Sequence, residues 1–276
     1  MMIRKLKLIM VFAMISWAAH AQPFLLKSTS GAKPFLMNIY YAAGGEGAYV
    51  KYHGQQGFIA LSLKNRTAQG KTSTSKVSYT WDELVQGKVT GVYKLSQEGN
   101  QVSAASYLRY KDHQLFKLEQ AKNHEDGSEK TGFLLHGTVI SFSKGMDEML
   151  SFRYPDKITK VHLPGFDSPD PQRIGTIADY NFDGFDDVAF SIPDAGMGVY
   201  RTFTIYLYNP VSKRFDLLAE PNDPRAKCSG FCDVTLDKKN KLLITACRGG
   251  ATWWNNEYKY TTAKHLTWIS SKKAEN

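Results

Sequence analysis

Ile174-Gly175-Thr176-Ile177-Ala178-Asp179-Tyr180-Asn181-Phe182-Asp183-Gly184-Phe185-Asp186-Asp187-Val188-Ala189-Phe190-Ser191 is the most informative run in this 276-residue chain. Its flanks, Ile174 to Ala178 and Val188 to Ser191, are short and rich in β-branched or apolar residues, so they read as strands. The nine residues between them have the form D-x-N-x-D-G-x-x-D. Calcium takes six to eight oxygens at about 2.3–2.6 Å. Positions 1, 3 and 5 of a tight loop supply inward side chains, a glycine at position 6 allows the bend, position 7 supplies its carbonyl and position 9 a further oxygen. Those roles fall to Asp179, Asn181, Asp183, the Phe185 backbone and Asp187. Position 12 is Phe190, where an EF-hand carries a bidentate glutamate. This is therefore an EF-like calcium loop between strands, with a structural ion as the expected cofactor. Asp186 is expected to face solvent.

Outward from this loop the chain keeps the same rhythm. Asn38 to Tyr41, Gly47 to Tyr52, Phe58 to Leu63, Lys88 to Lys94, Gln101 to Tyr110 and Leu115 to Glu119 read as strands separated by Gly, Asn, Asp or Lys turns. Phe133 to Ile140 and Glu148 to Arg153 continue the pattern, with Lys122 to Lys130 as a long hairpin loop. Thr80 to Gln86 reads as one helical turn, because Thr80 and Glu83 match a capping box. The fold class is all-β. An antiparallel meander or barrel-like N-terminal domain is expected over residues 22–154, followed by a calcium-stapled antiparallel sheet over 157–276. The break is placed near Tyr154-Pro155-Asp156, where proline interrupts pairing. No repeat of 20 to 50 residues recurs along the chain.

The N-terminus carries Arg4, Lys5 and Lys7, an apolar run from Leu8 to about Ala19, and the small-x-small site Ala19-His20-Ala21. These features read as a secretory signal peptide over residues 1–21, so the protein is expected in the periplasm or cell envelope. The apolar run is short of the roughly 20 residues a spanning helix needs, and no later segment approaches that length, which excludes an integral helical membrane protein. Loss of the leader lowers the formal charge from +9 to +6. Lys and Arg are scattered, without a basic helix or a run of five, which argues against nucleic acid.

Cys228, Cys232 and Cys247 suggest one disulfide and one free thiol in an exported protein. Counting outward from the turn at Lys238-Lys239-Asn240 places Cys232 opposite Cys247, the preferred pair, with Cys228–Cys247 second. No histidine spacing is zinc-like. Glu257 beside Trp253-Trp254 lacks the second carboxylate that a glycosidase needs, and Trp253, Trp254, Tyr258 and Trp268 read as sheet-packing aromatics. Nucleophile-elbow, Walker and Rossmann signatures are missing. The chain is expected not to be an enzyme.

The Asp179–Asp187 loop resembles that of FG-GAP repeats, the blade motif of integrin-type β-propellers. A propeller repeats its blade at least four times, whereas the motif occurs here once, which disfavours a propeller. The order of features from about Lys157 onward resembles a family of periplasmic β proteins related to bacterial lysozyme inhibitors, among them immunity proteins against peptidoglycan hydrolases. The matching features are Asp179 to Asp187, the glycine-containing Asp194 to Arg201, Thr202 to Tyr208 ending in Asn209-Pro210, Lys213 to Phe215, the Cys232–Cys247 hairpin and the closing strand at Tyr258 to Tyr260. The resemblance implies binding and steric inhibition of a lysozyme-like hydrolase by the loop after the calcium-loop strand, Ser191 to Arg201. There Gly196 and Gly198 allow close backbone approach, and Met197, Tyr200 and Arg201 are interface anchors. Calcium is expected to hold the root of this loop rigid. The alternative is an envelope or surface module for a protein or glycan, with calcium purely structural.

Overall fold

The computed structural model describes residues 22–31, 33–42, 44–70, 75–121, 130–166, 173–194 and 200–274. Among them the structure is all-β, with no helix. The first eight strands are β1 (Gln22–Ser28), β2 (Leu36–Tyr41), β3 (Tyr49–Tyr52), β4 (Ile59–Gln69), β5 (Lys76–Val85), β6 (Lys88–Glu98), β7 (Gln101–Arg109) and β8 (Gln114–Gln120). They form an antiparallel meander that closes into a barrel, with β1 pairing β8 from Leu26↔Gln120 to Ser28↔Leu118. Alternate residues point inward, as the period-two geometry of a strand demands. Phe24, Leu26, Met37, Ile39, Tyr41, Tyr79, Trp81, Tyr93, Leu95, Tyr107 and Phe116 fill the interior. Aromatic rings dominate this core: Tyr41 lies 5.1 Å from both Tyr79 and Trp81, and Trp81 donates Nε1–H to the Gly45 carbonyl at 2.7 Å.

The run from Thr80 to Gln86, expected as a helical turn, belongs mostly to β5. Val77, Tyr79, Trp81 and Glu83 are all buried, a period of two that overrides the capping-box pattern. Gln86 and Gly87, with φ of 51° and 75°, make the two-residue turn into β6.

The remaining strands are β9 (Lys130–Leu135), β10 (Thr138–Ser143), β11 (Met149–Arg153), β12 (Ile158–His162), β13 (Ile174–Ala178), β14 (Asp187–Pro193), β15 (Arg201–Asn209), β16 (Arg214–Leu217), β17 (Thr235–Asp237), β18 (Leu242–Gly249), β19 (Thr252–Thr262) and β20 (His265–Lys273). They form three successive four-stranded meanders: β9–β12, β13–β16 and β17–β20. Each has the form of a propeller blade, so the architecture repeats although the sequence does not. Phe133 to Ile140, expected as one strand, is split between β9 and β10 by His136-Gly137, whose φ values of 48° and 75° turn the chain in two residues.

The break expected near Tyr154-Pro155-Asp156 lies inside the first of these sheets. β11 pairs β12 from Met149↔His162 to Arg153↔Ile158, and Tyr154 N–H closes the turn on the Lys157 carbonyl at 2.9 Å. Proline there opens a hairpin turn, a position for which its fixed φ is suited. The sheets change partners instead between β8 and β9: β8 pairs within the barrel, whereas β9 pairs β10 and shares its core mainly with the later strands.

The three sheets are stacked in chain order. Val188 and Phe190 of β14 with Tyr206 and Tyr208 of β15 share a core with Phe133, Ile140, Phe142 and Phe152 of the first sheet. Ala189, Ile205 and Leu207 face the opposite way, onto Leu243, Tyr258 and Leu266 of the third. The middle sheet is thus buried on both sides, and every residue of β14 except its last is buried. Gly47 joins the barrel to this stack: its carbonyl accepts Leu134 N–H at 2.7 Å, and a Cβ there would lie 2.9 Å from Phe133.

Candidate cation loop and partner segment

The nine-residue loop joins β13 to β14 at one end of the middle sheet. Two left-handed residues, Phe182 at φ 60° and Gly184 at φ 93°, bend it back on itself. Its polar side chains then meet its own backbone. Asp179 accepts from Asp183 N–H at 3.1 Å and from Gly184 N–H at 2.9 Å. Asn181 Oδ1 accepts from Asp183 N–H at 3.2 Å, while its Nδ2 donates to Asp183 Oδ2 at 2.9 Å. Asp183 in turn accepts from Phe185 N–H at 2.9 Å. Asp187 is fully buried, and its two oxygens accept from Tyr180 N–H at 2.8 Å and Tyr208 N–H at 2.7 Å. One carboxylate therefore fixes both the start of the loop and the far end of β15.

Burial pushes the Asp187 carboxyl up to about 7; the Tyr208 and Tyr180 donors pull the other way, and the Asp183 charge adds to the rise. Asp179, Asp183, Asp186 and Asp187 form no ion pair with Lys or Arg among the described residues. Nor are three His, Cys, Asp or Glu side chains gathered there as a preformed metal cluster. The donor set is nonetheless oxygen-only and strongly anionic, with a buried carboxylate lacking a counter-charge. That chemistry fits a hard divalent cation held by Asp179, Asn181, Asp183, the Phe185 carbonyl and Asp187.

The loop lies between hairpin tips of both neighbouring sheets. On one side His136 Nε2 lies 2.7 Å from the Asp186 carbonyl, and its ring stacks on Tyr208 at 3.9 Å. On the other side Asn181 Nδ2 donates to the Ala263 carbonyl at 3.5 Å, and the Phe182 ring meets Tyr260 edge-on at 6.4 Å. Asp186 itself is exposed. His136 carries no motif signal, and the Tyr258 to Tyr260 pattern gave no hint of a place beside the loop; the stacking of sheets brings both residues there.

The segment expected to meet a partner leaves from the other end of β14. Its seven residues put that end roughly 20 Å from the cation loop at about 3.4 Å per residue, so the ion would not touch the root of the segment. Other groups hold it. Asp194 N–H donates to the Tyr200 carbonyl at 2.9 Å, and Tyr200 N–H donates to Asp194 Oδ1 at 3.3 Å. Arg201, expected as a partner anchor, is turned inward: it donates to Ser191 Oγ at 2.9 Å and to the Ser191 carbonyl at 2.7 Å. Tyr200 is half-buried against the three cysteines. Gly196, Met197 and Gly198 lie outside the described residues, as do residues 1–21, where a signal peptide is expected.

The cysteines correct the expected pairing. The disulfide joins Cys228 to Cys247, with Cα atoms 5.6 Å apart, and Cys232 is free and buried. Counting from the hairpin turn fails because the β17–β18 ladder ends at Thr235↔Ile244. Asp233, at φ 40°, turns the chain so that Cys232 bridges Thr202 of β15, while its carbonyl accepts from Ala246 of β18 at 2.9 Å. Residues 231–233 thereby stitch the second sheet to the third, next to the partner segment. Burial pushes the Cys232 thiol up to about 11, and the charges of Asp233, Glu220 and Asp194 act the same way.

Glu257 offers no acid for glycan cleavage, since it is held by Lys272 at 2.6 Å and Ser270 at 2.7 Å, and Lys272 keeps its carboxyl low. Tyr258 is fully buried, Trp254 packs on the cysteines and Trp268 on the core between the second and third sheets. In the barrel, Glu83 is a buried carboxylate that sequence reading assigned to a cap. It accepts from Thr90 at 2.6 Å, Tyr107 at 3.0 Å and Tyr93 at 3.1 Å. Its inward direction was visible in the alternation with Val77, Tyr79 and Trp81. No helix among the described residues is long and apolar enough to cross a membrane. A scan against protein-family models finds no match, and a search of curated proteins finds none with significant similarity to this chain.

Proposed function

We propose that this chain is an exported, non-catalytic, calcium-binding protein that binds and sterically blocks a lysozyme-like peptidoglycan hydrolase. The observation that carries this reading is the setting of the 191–201 segment. It rises from a strand buried on both faces, and its two feet are tied by Asp194, Tyr200, Arg201 and Ser191. A segment anchored in this way enters a cleft with little ordering of its root, which lowers the cost of binding. Tyr200 and the glycines at 196 and 198 are the contact residues, with Arg201 holding the root rather than the partner. Calcium shapes the opposite end of the same sheet.

The test uses residues 22–276 in calcium against a panel of lysozyme-like hydrolases, including members with an acidic cleft rim to suit the +6 charge. Inhibition near equimolar protein is expected, weakened at least tenfold in Tyr200→Ala and Gly198→Val. A panel left untouched by the wild-type protein sinks the reading.

A second reading draws on a recess of about 320 Å³ beside β20, lined by Glu220, Asn222, Asp223, His265 and Trp268. An indole with carboxylates and an amide is a surface suited to a glycan. Binding of peptidoglycan fragments that is lost in Trp268→Ala, with hydrolases unaffected, would put an envelope glycan-binding module in place of the inhibitor.

A further inference from the structure

Tyr260 lies near the end of β19, in the sheet that covers the middle sheet on the side away from β9–β12. Its hydroxyl oxygen is completely enclosed and has no hydrogen-bond partner. The ring packs edge-on against Phe182 inside the cation loop, 6.4 Å between centroids. Three residues further on, the Ala263 carbonyl accepts from Asn181 of the same loop at 3.5 Å. Of the charged groups near the phenol, those acting on it most strongly are Asp187, Asp179 and Asp183, all loop carboxylates, followed by the Tyr180 phenol.

Most buried hydroxyls in folded proteins are hydrogen-bonded, so one that is not needs a cause. Here the orphan sits where four aspartates of one loop have no counter-charge. Both deficits vanish if the loop carries a cation with its own shell of oxygens. We propose that Tyr260 is a second-sphere residue of a calcium centre in the Asp179–Asp187 loop, its hydroxyl donating to an oxygen of the ion's coordination shell. This rests on the calcium reading of the loop and goes beyond it. The ion then clamps three sheets: β13 and β14 through its ligands, β19 through Tyr260, and the β9–β10 tip through His136 on the Asp186 carbonyl.

Outer-sphere partners of a metal site commonly tune affinity by about 10–100-fold. The test compares wild-type protein, Tyr260→Phe and Asp183→Ala, each stripped with EGTA and titrated with calcium by calorimetry, with melting recorded in EGTA and in saturating calcium. Phenylalanine keeps the ring and removes only the orphan oxygen. Tyr260→Phe is expected to melt in EGTA at or above the wild-type temperature and to bind calcium at least tenfold more weakly. A calcium dissociation constant within twofold of wild type overturns the proposal, as does an equal loss of melting temperature with and without calcium, which would make Tyr260 a packing residue only. If wild-type protein binds no calcium and Asp183→Ala melts like it in both conditions, the loop reading falls and this proposal falls with it.

Discussion

Glu83 in the barrel and Asp187 in the middle sheet are both buried carboxylates, 4% and 0% exposed, and they are satisfied in opposite ways. Glu83 is met by side-chain hydroxyls of Thr90, Tyr93 and Tyr107, and Tyr93 is backed by Tyr52 at 2.7 Å. Hydroxyls rotate to suit an acceptor, so this network satisfies Glu83 with groups the barrel itself supplies. Asp187 is met by two backbone N–H groups, whose direction is fixed by the chain. It therefore dictates the path of the loop and of β15. It also stands beside Asp183 and Asp179, with no cation among the described residues to offset them. Glu83 is thus satisfied within its own unit, whereas Asp187 is left among like charges, and the proposed calcium site rests on that difference.

This contrast can be broken at several points. The largest effect is expected from Asp187→Ala, which leaves the Tyr180 and Tyr208 N–H groups buried without an acceptor. At about 1–3 kcal/mol for each, urea unfolding in EGTA should lose roughly 3–5 kcal/mol, and a loss below about 1 kcal/mol would remove Asp187 from the root of the loop. Breaking the disulfide with Cys228→Ala should cost about 2–4 kcal/mol under oxidising conditions, and peptide mapping of the wild-type protein should return the Cys228–Cys247 linkage. A Cys232–Cys247 linkage would contradict the path of residues 231–233. Next, calcium at 100 times its dissociation constant should add about 2.7 kcal/mol, seen as a melting shift of several degrees that Asp183→Ala abolishes. No shift at millimolar calcium would leave the loop as an acidic turn.

Smaller still, Glu83→Gln should cost about 1–2 kcal/mol, because the amide retains one acceptor oxygen but places an NH₂ among donors. That cost should be the same in calcium and in EGTA. A calcium-dependent cost would mean that barrel and loop are coupled and the contrast is false. The smallest effect is expected for Cys232→Ser, within about 1 kcal/mol, provided the hydroxyl keeps the contact that the thiol makes with the Ser229 carbonyl at 3.2 Å.

Strand content was legible in the sequence because the alternation of apolar and polar residues is a local signal. It failed where a second local signal competed with it. Thr80 and Glu83 mimic a capping box, but Glu83 faces inward with Tyr79 and Trp81, and its carboxylate is absorbed by hydroxyls from β6 and β7. Pro155 resembled a boundary, yet the ladder between β11 and β12 makes it a turn. The spacing of Asp179, Asn181, Asp183, Gly184 and Asp187 was equally local, and the loop bends at Gly184 as the pattern requires. The placement of Tyr260, 73 residues beyond Asp187 in the chain, was not legible, since stacking of two sheets is what brings them together.

The sequence by itself determined an all-β chain, a sharply bent acidic loop and the turns that separate most strands, because each depends on residues within a few positions of one another. Only the tertiary structure decided that eight strands close into a barrel, that three meanders stack with the loop in the middle layer, that Cys247 pairs with Cys228, and that Arg201 turns inward. Those outcomes depend on which faces bury each other across long stretches of chain. Burial of a shared apolar face is set by shape and area, not by spacing along the sequence.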